Sequence, residues 1–278
     1  MNAHKLSQRV AVALLGGATL LTLLIVFFII GFVLGKGLPQ VSLGFLFSRP
    51  RNMGKEGGIF PAIVGTLLLS LMAVAVALPL GIGTAVYLSE YTRETNLTRA
   101  IRFGTDCLAG IPSIIFGLFG YIFFVTTLRM GWSLLAGALT LAIMVLPTLI
   151  RTAEEAIRSV PQSWREVSLS LGATRWETVR KVVLPGALPG IVTGIMLSFG
   201  RSIGETAAVI FTAGSSFRLP KGAFDSVRTM AVHFYILARE GISSEKAYGT
   251  AAVLVIAVLA VNILTYWLMH RFIARRAR

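Results

Sequence analysis

The chain has 278 residues, of which 55% are hydrophobic and 14% charged, and its mean hydropathy is +0.78. This composition excludes a soluble domain of that length and predicts a polytopic membrane protein. The formal net charge of +14 would suggest nucleic-acid binding in a soluble protein. Here the basic residues collect at the ends of apolar runs, so charge sidedness across a membrane explains them better.

The cysteine and the histidines exclude two further kinds of site. Cys107 is the single cysteine, so no disulfide can form within the chain. The three histidines, His4, His233 and His270, are too scattered along the sequence to suggest a metal site.

Six apolar runs are about as long as a bilayer requires, which is roughly 20 residues in a helix. They cover residues 10–34, 60–88, 103–125, 134–150, 188–212 and 249–272. The first run is too long for the core of a signal peptide, so we expect it to be retained. The sequence therefore predicts an all-α fold with six transmembrane helices.

The distribution of Lys and Arg predicts the orientation of these helices. With both chain ends on one side, most of the 26 basic residues fall on that side, which the positive-inside rule assigns to the cytosol. The predicted organisation is a cytosolic N-terminus (1–9), a first transmembrane helix (10–34), an external loop (35–59), a transmembrane domain (60–272) and a cytosolic basic tail (273–278). The transmembrane domain contains a cytosolic loop at 151–187 and an external loop at 213–248.

Arg201 lies near the middle of the apolar run 188–212, and Glu205 follows four residues later. A charge at this depth costs about 2.5–3.5 kcal/mol on insertion scales unless protein or water surrounds it. A guanidinium is always protonated and offers a planar fork of donors, which suits a tetrahedral oxyanion such as phosphate or sulfate. We therefore predict an anion path. The alternative is an ion pair between Arg201 and Glu205 that holds two helices together.

The external loop contains a predicted helix at 226–240, with Asp225 as the cap before it and Gly241 after it. One side of this helix carries Met230, His233, Phe234 and Leu237. That side either receives an external partner or lies on the membrane surface.

The cytosolic loop predicts two short helices joined by a turn, and we call residues 159–185 the elbow. Ser159, with Gln162 three residues later, is expected to cap the first helix, and Gly172 to end it. Thr174 and Glu177 form a capping box that opens the second helix.

The first helix of the elbow has an apolar and a polar side. We expect the apolar side to pack on the membrane domain and the polar side to remain available to a partner. The apolar side consists of Trp164, Val167 and Leu171, and the polar side of Arg165, Glu166 and Ser170. A DNA-binding helix-turn-helix is the competing interpretation, but the elbow lies between two membrane spans and has no domain of its own.

The elbow resembles a signature of the permease subunits of ABC importers. In the cytosolic loop before the penultimate helix, those permeases carry Glu-Ala-Ala, three residues, Gly, nine residues and then Ile-x-Leu-Pro. This chain keeps both spacings, with Glu166-Val167-Ser168, Gly172 and Val182-Val183-Leu184-Pro185. The residues at 167, 168 and 182 depart from the pattern but are small or apolar. The resemblance implies a type I ABC importer permease fold in which the elbow is the coupling helix. It also implies that five residues of this chain lie at the contact with the nucleotide-binding subunit, namely Glu166, Gly172, Val182, Leu184 and Pro185.

A second resemblance narrows the family. The segment Arg201-Ser202-Ile203-Gly204-Glu205-Thr206-Ala207 is similar to the Arg-x-x-Gly-Glu-Thr segment of phosphate-specific importers, whose two related permeases are the PstA-type and the PstC-type. Arg151, followed by Glu154 and Glu155, is similar to a second charged cluster of those permeases. The resemblance extends from about residue 10 to residue 272, and the compact N-terminus favours the PstA-type. It implies a substrate pathway formed by Arg201, Glu205, Thr206 and Arg151.

The resemblance also implies partners. The chain has no Gly-x-x-x-x-Gly-Lys-Ser/Thr loop, so we expect it to bind no ATP by that means and to carry no catalytic residue, metal or cofactor of its own. In the implied complex of the bacterial inner membrane, it pairs with a PstC-type permease, a PstS-type protein delivers phosphate, and two PstB-type subunits bind ATP and Mg²⁺. We expect no nucleic-acid partner.

Three alternatives stay open at this stage. A permease for sulfate, molybdate or phosphonate would share the elbow without needing the Arg-x-x-Gly-Glu-Thr run. An ATP-independent channel or secondary transporter would explain Arg201 but would leave the elbow unexplained. A third interpretation makes the chain a phosphate sensor that signals to a kinase.

Overall fold

The structure is a computed structural model that describes the backbone of residues 2–276 and, except at residue 9, the side chains of residues 8–267. In chain order its α-helices are α1 (Asn2–Gly37), α2 (Leu43–Phe47), α3 (Phe60–Val86), α4 (Asn96–Ala109), α5 (Ser113–Gly120), α6 (Leu134–Arg158), α7 (Gln162–Ser170), α8 (Arg175–Thr178), α9 (Leu184–Gly204), α10 (Ala207–Thr212), α11 (Met230–Arg239) and α12 (Ser244–Arg276). Positions 1, 277 and 278 of the predicted cytosolic ends lie outside the described residues.

Shorter elements continue or connect these helices. In the first external loop, strand β1 (Pro50–Arg51) pairs antiparallel with β2 (Glu56–Gly57). Single π-helical segments extend α3, α5 and α8 over Tyr87–Tyr91, Tyr121–Thr127 and Val179–Val183. The 3-10 turns are Leu38–Gln40 and Asn52–Gly54.

Among the described residues, five helical runs are long and apolar enough to cross a membrane, and they contain α1, α3, α6, α9 and α12. The runs are Val10–Gln40, Phe60–Tyr91, Leu134–Arg158, Arg175–Gly204 and Ser244–Trp267. They confirm an all-α membrane fold with five continuous spans. The sixth predicted span is a bent pair of helices.

That bent pair is α4 and α5, which meet at an angle of 100°. The prediction of one helix over 103–125 was wrong. The bend follows from residues 110–112, because Pro112 is extended (φ −57°, ψ 139°) and a proline disfavours helical backbone in the residue before it. Residues 103–109 therefore belong to α4, which also carries Arg99 and Arg102.

The centre of the fold is the packing of α3 against α6. Leu69 and Ala73 on α3 and Leu141 and Val145 on α6 are fully buried in one cluster. Of the most apolar window of each span, 61% is buried for α6 and 0% for α1. In a membrane, the side chains of α1 are therefore left to contact lipid or another subunit.

The contact between α6 and α9 depends on two glycines. A Cβ at Gly190 would lie 2.5 Å from Ala156 Cβ, and one at Gly194 would clash with the Thr152 hydroxyl. Such a close approach of two backbones is typical of a Gly-x-x-x-Gly pair. A Cβ at Gly204 would meet no described atom within 4 Å, so the second pair, at 200 and 204, does not pack in the same way.

The external helix α11 starts later than predicted. It begins at Met230 with Thr229 as its cap, whose hydroxyl accepts from the Val232 N–H. The predicted cap, Asp225, instead accepts from two backbone N–H groups of the preceding turn at 2.6 and 3.0 Å. Gly241 ends the helix in the left-handed region (φ 62°), as expected.

The side of α11 that carries Met230, His233 and Leu237 is buried. The Met230 N–H donates to the Thr66 hydroxyl of α3 at 2.8 Å. The prediction that this side receives a partner or lies on the membrane surface was wrong, because the membrane domain itself covers it.

Candidate functional site

Arg201 lies in the last turn of α9 and is half-buried. The hydroxyls of its buried neighbours Ser198 and Ser202 bond within α9. They donate to the carbonyls of Gly194 and Ser198 at 2.8 and 2.9 Å. Within the described part of the chain, Arg201 forms no ion pair. A guanidinium at membrane depth without a carboxylate is available to an anionic ligand.

The helix stops immediately after this arginine. Gly204 is its last residue, and Glu205 is extended (φ −75°, ψ 129°) before α10 begins at Ala207. The prediction of a continuous helix over 188–212 was wrong, and Glu205 does not lie one helical turn beyond Arg201. The interpretation of the two residues as an ion pair that holds helices together finds no support in this geometry.

The break has a chemical consequence at this depth. The last carbonyls of a helix have no partner within it, and irregular backbone at membrane depth is tolerated only where it is buried in protein or lines a water-filled cavity. Glu205 and Thr206, both half-buried, occupy the break. Within six residues the chain thus combines a guanidinium that has no ion pair among the described residues, a carboxylate and a hydroxyl, as a polar route for an anion requires.

Arg151, the fourth residue predicted for the pathway, lies near the C-terminal end of α6, on the side predicted to be cytosolic. Its guanidinium pairs with Asp106 of α4 at 3.0 Å and with Glu155 at 3.5 Å, and its side chain is 62% exposed. Gly194 packs on Thr152, so Arg201, seven residues further along α9, lies about 10 Å beyond that level. The structure therefore places Arg151 and Arg201 at different depths.

A cavity of about 210 Å³ surrounds Arg151, and we call its charged lining the cytosolic cluster. The cluster consists of Arg102, Asp106, Arg151, Glu154, Glu155 and Arg158. Arg102 and Arg158 both pair with Glu154 at 2.9 Å, so the three cations are matched by three carboxylates. The cluster ties α4 to α6 across the bend at residues 110–112.

Sequence reasoning missed the share of α4 in this cluster, because residues 103–109 were assigned to an apolar span. A signal was present. Arg99, Arg102 and Asp106 recur at helical spacing and put charge on one side of a helix. The charged side of α4 thus distinguishes it from the apolar α5.

The elbow has the predicted turns, with one change at its start. Gly172 takes the left-handed conformation (φ 84°) and ends the first helix, and Thr174 and Glu177 form the capping box. Ser159 does not cap α7, because it lies at the end of α6 and its hydroxyl donates to the Ala156 carbonyl at 2.8 Å. Pro161 takes the position before α7 instead.

The predicted apolar side of the first elbow helix does not pack on the membrane domain, whereas Glu166 and Ser170 of the polar side are exposed as predicted. Trp164, Val167 and Leu171 are exposed, Leu171 at 84%. Arg165 points inward with a side chain 12% exposed, and it pairs with Glu90 at 2.7 Å. The reason lies at the end of α6, where Arg165 donates to the carbonyl of Val160 and to that of Ile157, which also accepts from the Val160 N–H.

The residues predicted for coupling divide between these two surfaces. Glu166 and Gly172 are exposed on the outer part of the elbow. Val182, Leu184 and Pro185 are half-buried at its base, where α9 begins. An exposed apolar surface on a polar cytosolic segment is typical of a protein contact, and here Trp164, Val167 and Leu171 supply it.

The buried pair Arg228 and His233 in the external loop had no sequence signal, because residues 226–229 were predicted to be helical. Arg228 is 6% exposed and donates from Nε to the Ser215 carbonyl at 2.9 Å. Its Nη1 lies 3.3 Å from His233 Nδ1, and its guanidinium lies 3.8 Å from the ring centre of Phe217. Burial lowers the pKa of Arg228 to about 10. Burial, together with the charge of Arg228, lowers the pKa of His233 to about 4.

These contacts fasten the irregular external segment to α11. Among the described residues, no group of three or more His, Cys, Asp or Glu side chains is arranged to hold a metal ion. The chemistry of the described site is therefore that of arginine, carboxylate, hydroxyl and backbone groups.

Comparisons with known proteins assign the family. The family model of the binding-protein-dependent transport system inner membrane component matches residues 77–278. The chain is 33% identical over 281 residues to the probable ABC transporter permease protein YqgI of Bacillus subtilis (strain 168), covering 95% of this chain and 96% of that protein. It is 37% identical over 225 residues to the phosphate transport system permease protein PstA 1 of Mycobacterium tuberculosis (strain CDC 1551 / Oshkosh), covering 80% and 73%.

The fold has a counterpart among solved structures. A chain in the crystal structure of a bacterial ABC transporter involved in the import of the acidic polysaccharide alginate superposes with a TM-score of 0.64. The match covers 96% of this chain and 99% of that one at 16% identity, which supports the fold alone. Together with the five continuous spans, these findings show that the chain belongs to the family of binding-protein-dependent transport system inner membrane components and is a PstA-type ABC permease of the inner membrane.

Proposed function

We propose that this chain is the permease subunit of an ATP-driven importer that moves inorganic phosphate into the cytosol. The observation that carries the proposal is the guanidinium of Arg201, which has no ion pair in the described part of the chain, beside the break between α9 and α10. A relative 37% identical to the chain is named as a phosphate transport permease, and the geometry suits the same cargo.

Phosphate fits the groups at the break. The planar fork of Arg201 donates two parallel hydrogen bonds to an oxyanion, and the Thr206 hydroxyl is a further donor. We also propose that Glu205 accepts a hydrogen bond from protonated phosphate, a bond that fully ionised sulfate does not offer. In this scheme the carboxylate keeps the empty site near neutral and selects against sulfate.

Energy enters through the elbow. The exposed side chains of Trp164, Val167 and Leu171 form a surface for an ATP-binding subunit, which would hold ATP and Mg²⁺. Arg165 fixes the opposite face to Glu90 and to the end of α6, so motion of the elbow is passed to α3 and α6 as a rigid body. The complete importer would contain two PstB-type subunits, a PstC-type permease and a PstS-type phosphate-binding protein.

The competing functions account for fewer observations. An ATP-independent channel or secondary transporter leaves the exposed apolar face of the elbow without a purpose. A phosphate sensor that signals to a kinase needs no transport route at Arg201. A sulfate, molybdate or phosphonate permease shares the fold, and it differs in the anion that Arg201 and Glu205 favour.

The central experiment replaces Arg201 in the co-expressed importer and measures uptake of radiolabelled phosphate into membrane vesicles. Arg201→Ala should abolish uptake while the subunits still assemble, and Arg201→Lys should restore little because an ammonium lacks the planar fork. Arg218→Ala, an exposed external arginine, is the matched control and should transport normally. Wild-type uptake by the double variant Arg201→Leu with Glu205→Leu would overturn the assignment.

The proposed orientation places both chain ends in the cytosol and α11 outside. In a Cys107→Ser background, a thiol introduced at Ser244 should react with an impermeant reagent added outside intact cells. One introduced at Ser163 of the elbow should not. The opposite labelling pattern would reverse the topology.

A further inference from the structure

A second cavity, which we call the elbow cavity, lies behind the elbow on the side that faces the membrane domain. Its volume is about 380 Å³, within the roughly 300–1,000 Å³ of small-molecule sites. The end of α3 contributes Ser89 and Glu90, and α6 ends at Arg158 beside it. The elbow contributes Gln162, Arg165 and Arg175.

The charges that line the elbow cavity do not cancel. Arg165 is matched by Glu90 at 2.7 Å, and Arg158 by Glu154 at 2.9 Å. For Arg175 the described residues supply no ion pair. The elbow cavity therefore differs from the cytosolic cluster, where three carboxylates match three cations, and it retains a positive charge at its edge.

A second observation points to a ligand. The Ser89 hydroxyl is buried, and no hydrogen-bond partner for it exists among the described residues. A buried polar group without a partner is costly and is usually paired. Ser89 lies on the membrane domain and Arg175 on the elbow, so a ligand that accepts from both would bridge the two parts.

We propose that the elbow cavity binds a phosphate-class oxyanion from the cytosol and that the bound anion holds the elbow against the end of α3. Hydroxyl, amide and guanidinium donors are the groups that recognise such an anion. The consequence is slower transport when cytosolic phosphate is high, because the anion restrains the segment that must move. This regulatory consequence rests on the proposed phosphate import, whereas the binding does not.

Binding is tested directly on the purified importer complex by equilibrium dialysis with radiolabelled inorganic phosphate. The complex carries Arg201→Ala, so that the transport pathway does not contribute. Arg175→Gln should weaken the remaining phosphate binding about tenfold or more, as expected for a lost charge-assisted hydrogen bond, and Ser89→Ala should weaken it less. Arg180→Gln is the control, because Arg180 is exposed on the same segment and does not line the cavity.

Three results would overturn the binding proposal. They are the absence of saturable binding at millimolar phosphate, equal binding by the Arg175→Gln and Arg180→Gln complexes, and binding that Ser89→Ala and Arg175→Gln both leave unchanged. Nanodiscs with and without phosphatidylglycerol separate the two sources of a phosphate group. Phosphate binding that is independent of the lipid supports a free anion, and loss of binding in the anionic lipid assigns the site to a headgroup and overturns the regulatory step.

Regulation is tested in vesicles whose interior faces the elbow. Internal millimolar phosphate should slow initial uptake severalfold in the complex with the unchanged chain and have little effect with Arg175→Gln. Uptake that proceeds but is slowed equally in both would overturn the regulatory inference and leave the proposed import intact. Uptake that fails without internal phosphate would count against the import itself, and the dialysis result would still decide whether the cavity binds the anion.

Discussion

The break after α9 and the cytosolic cluster differ in whether their arginines form ion pairs. At the break, Arg201 is half-buried and forms no ion pair within the described chain. In the cytosolic cluster, Arg102, Arg151 and Arg158 are matched by carboxylates. The break follows α9 and the cluster lies on α4 and α6, and α6 packs against α9, so the difference reflects what each region does.

A matched cluster needs nothing further, and its ion pairs fix one helix to another. A cation without a carboxylate partner at membrane depth is stable only when water solvates it or a ligand binds it. The comparison thus separates arginines that stabilise helix contacts from an arginine that is available to bind an anion. The exposed pairs of Arg151 contribute little free energy each, whereas the pair between Arg102 and Glu154 is largely buried and fixes α4 to α6.

The largest expected effect comes from making the same substitution, arginine to glutamine, in each of the two regions. Arg201→Gln should lower phosphate uptake by about 100-fold or more, because two charge-assisted hydrogen bonds to the anion are lost, worth roughly 3 kcal/mol or more. Arg151→Gln should lower uptake only a few-fold, since its pairs with Asp106 and Glu155 are exposed. Initial rates of radiolabelled phosphate uptake decide. An equal loss from Arg151 would break the comparison and support the predicted place of Arg151 in the pathway.

The second test concerns the outer face of the elbow, which contributes no buried contact to this chain. Leu171→Asp should weaken association of the ATP-binding subunit by roughly 30-fold, the scale of a 2 kcal/mol interface residue, while the permease remains folded. Leu43→Asp on external α2 is the control, because Leu43 is 77% exposed. Co-purification in mild detergent measures the effect. Normal recovery of the ATPase with Leu171→Asp would show that docking uses another surface.

The inner face should behave in the opposite way. Arg165→Ala leaves Glu90 buried without its cation and removes donors from two carbonyls, so we expect about 3–5 kcal/mol of destabilisation. Lys181→Ala removes the exposed pair with Glu177 and should cost at most about 1 kcal/mol. Thermal unfolding of the purified permease compares the two variants. Similar melting temperatures would mean that the Arg165 pair does not hold the elbow.

Local signals explain what the sequence could predict. The spans follow from apolar length, and the turn at Gly172 and the capping box of Thr174 and Glu177 follow from residues within one helical turn of each other. The orientation of Arg165 could not be predicted in this way, since its partner Glu90 lies 75 residues earlier. An amphipathic pattern shows two faces but does not show which one a neighbouring helix end will attract.

The two breaks were missed for a different reason. At the first break, the polar α4 was merged with the apolar α5 into one span. After Arg201, the apolar residues of α10 continued the pattern of α9 across Gly204. In both cases the run was apolar, but the predicted continuous helix was wrong, because hydropathy does not show where backbone hydrogen bonding stops.

The smallest expected effect concerns a third arrangement of an arginine. Here Arg228 lies beside His233, a buried base, and not beside a carboxylate. The pKa of His233 is lowered to about 4 from an ordinary 6.5, so the loosened loop binds a proton near pH 6.5 and the packed loop does not. Between those values the loosened state holds more protons, and packing weakens as the pH falls. At pH 5 the loss relative to pH 7.5 is about 2 kcal/mol. Hydrogen exchange of residues 228–240, corrected for intrinsic rates, should show protection about 30-fold lower at pH 5, and His233→Gln should remove that dependence. Equal protection of the unchanged chain at both pH values would mean that His233 does not remain neutral in the packed loop.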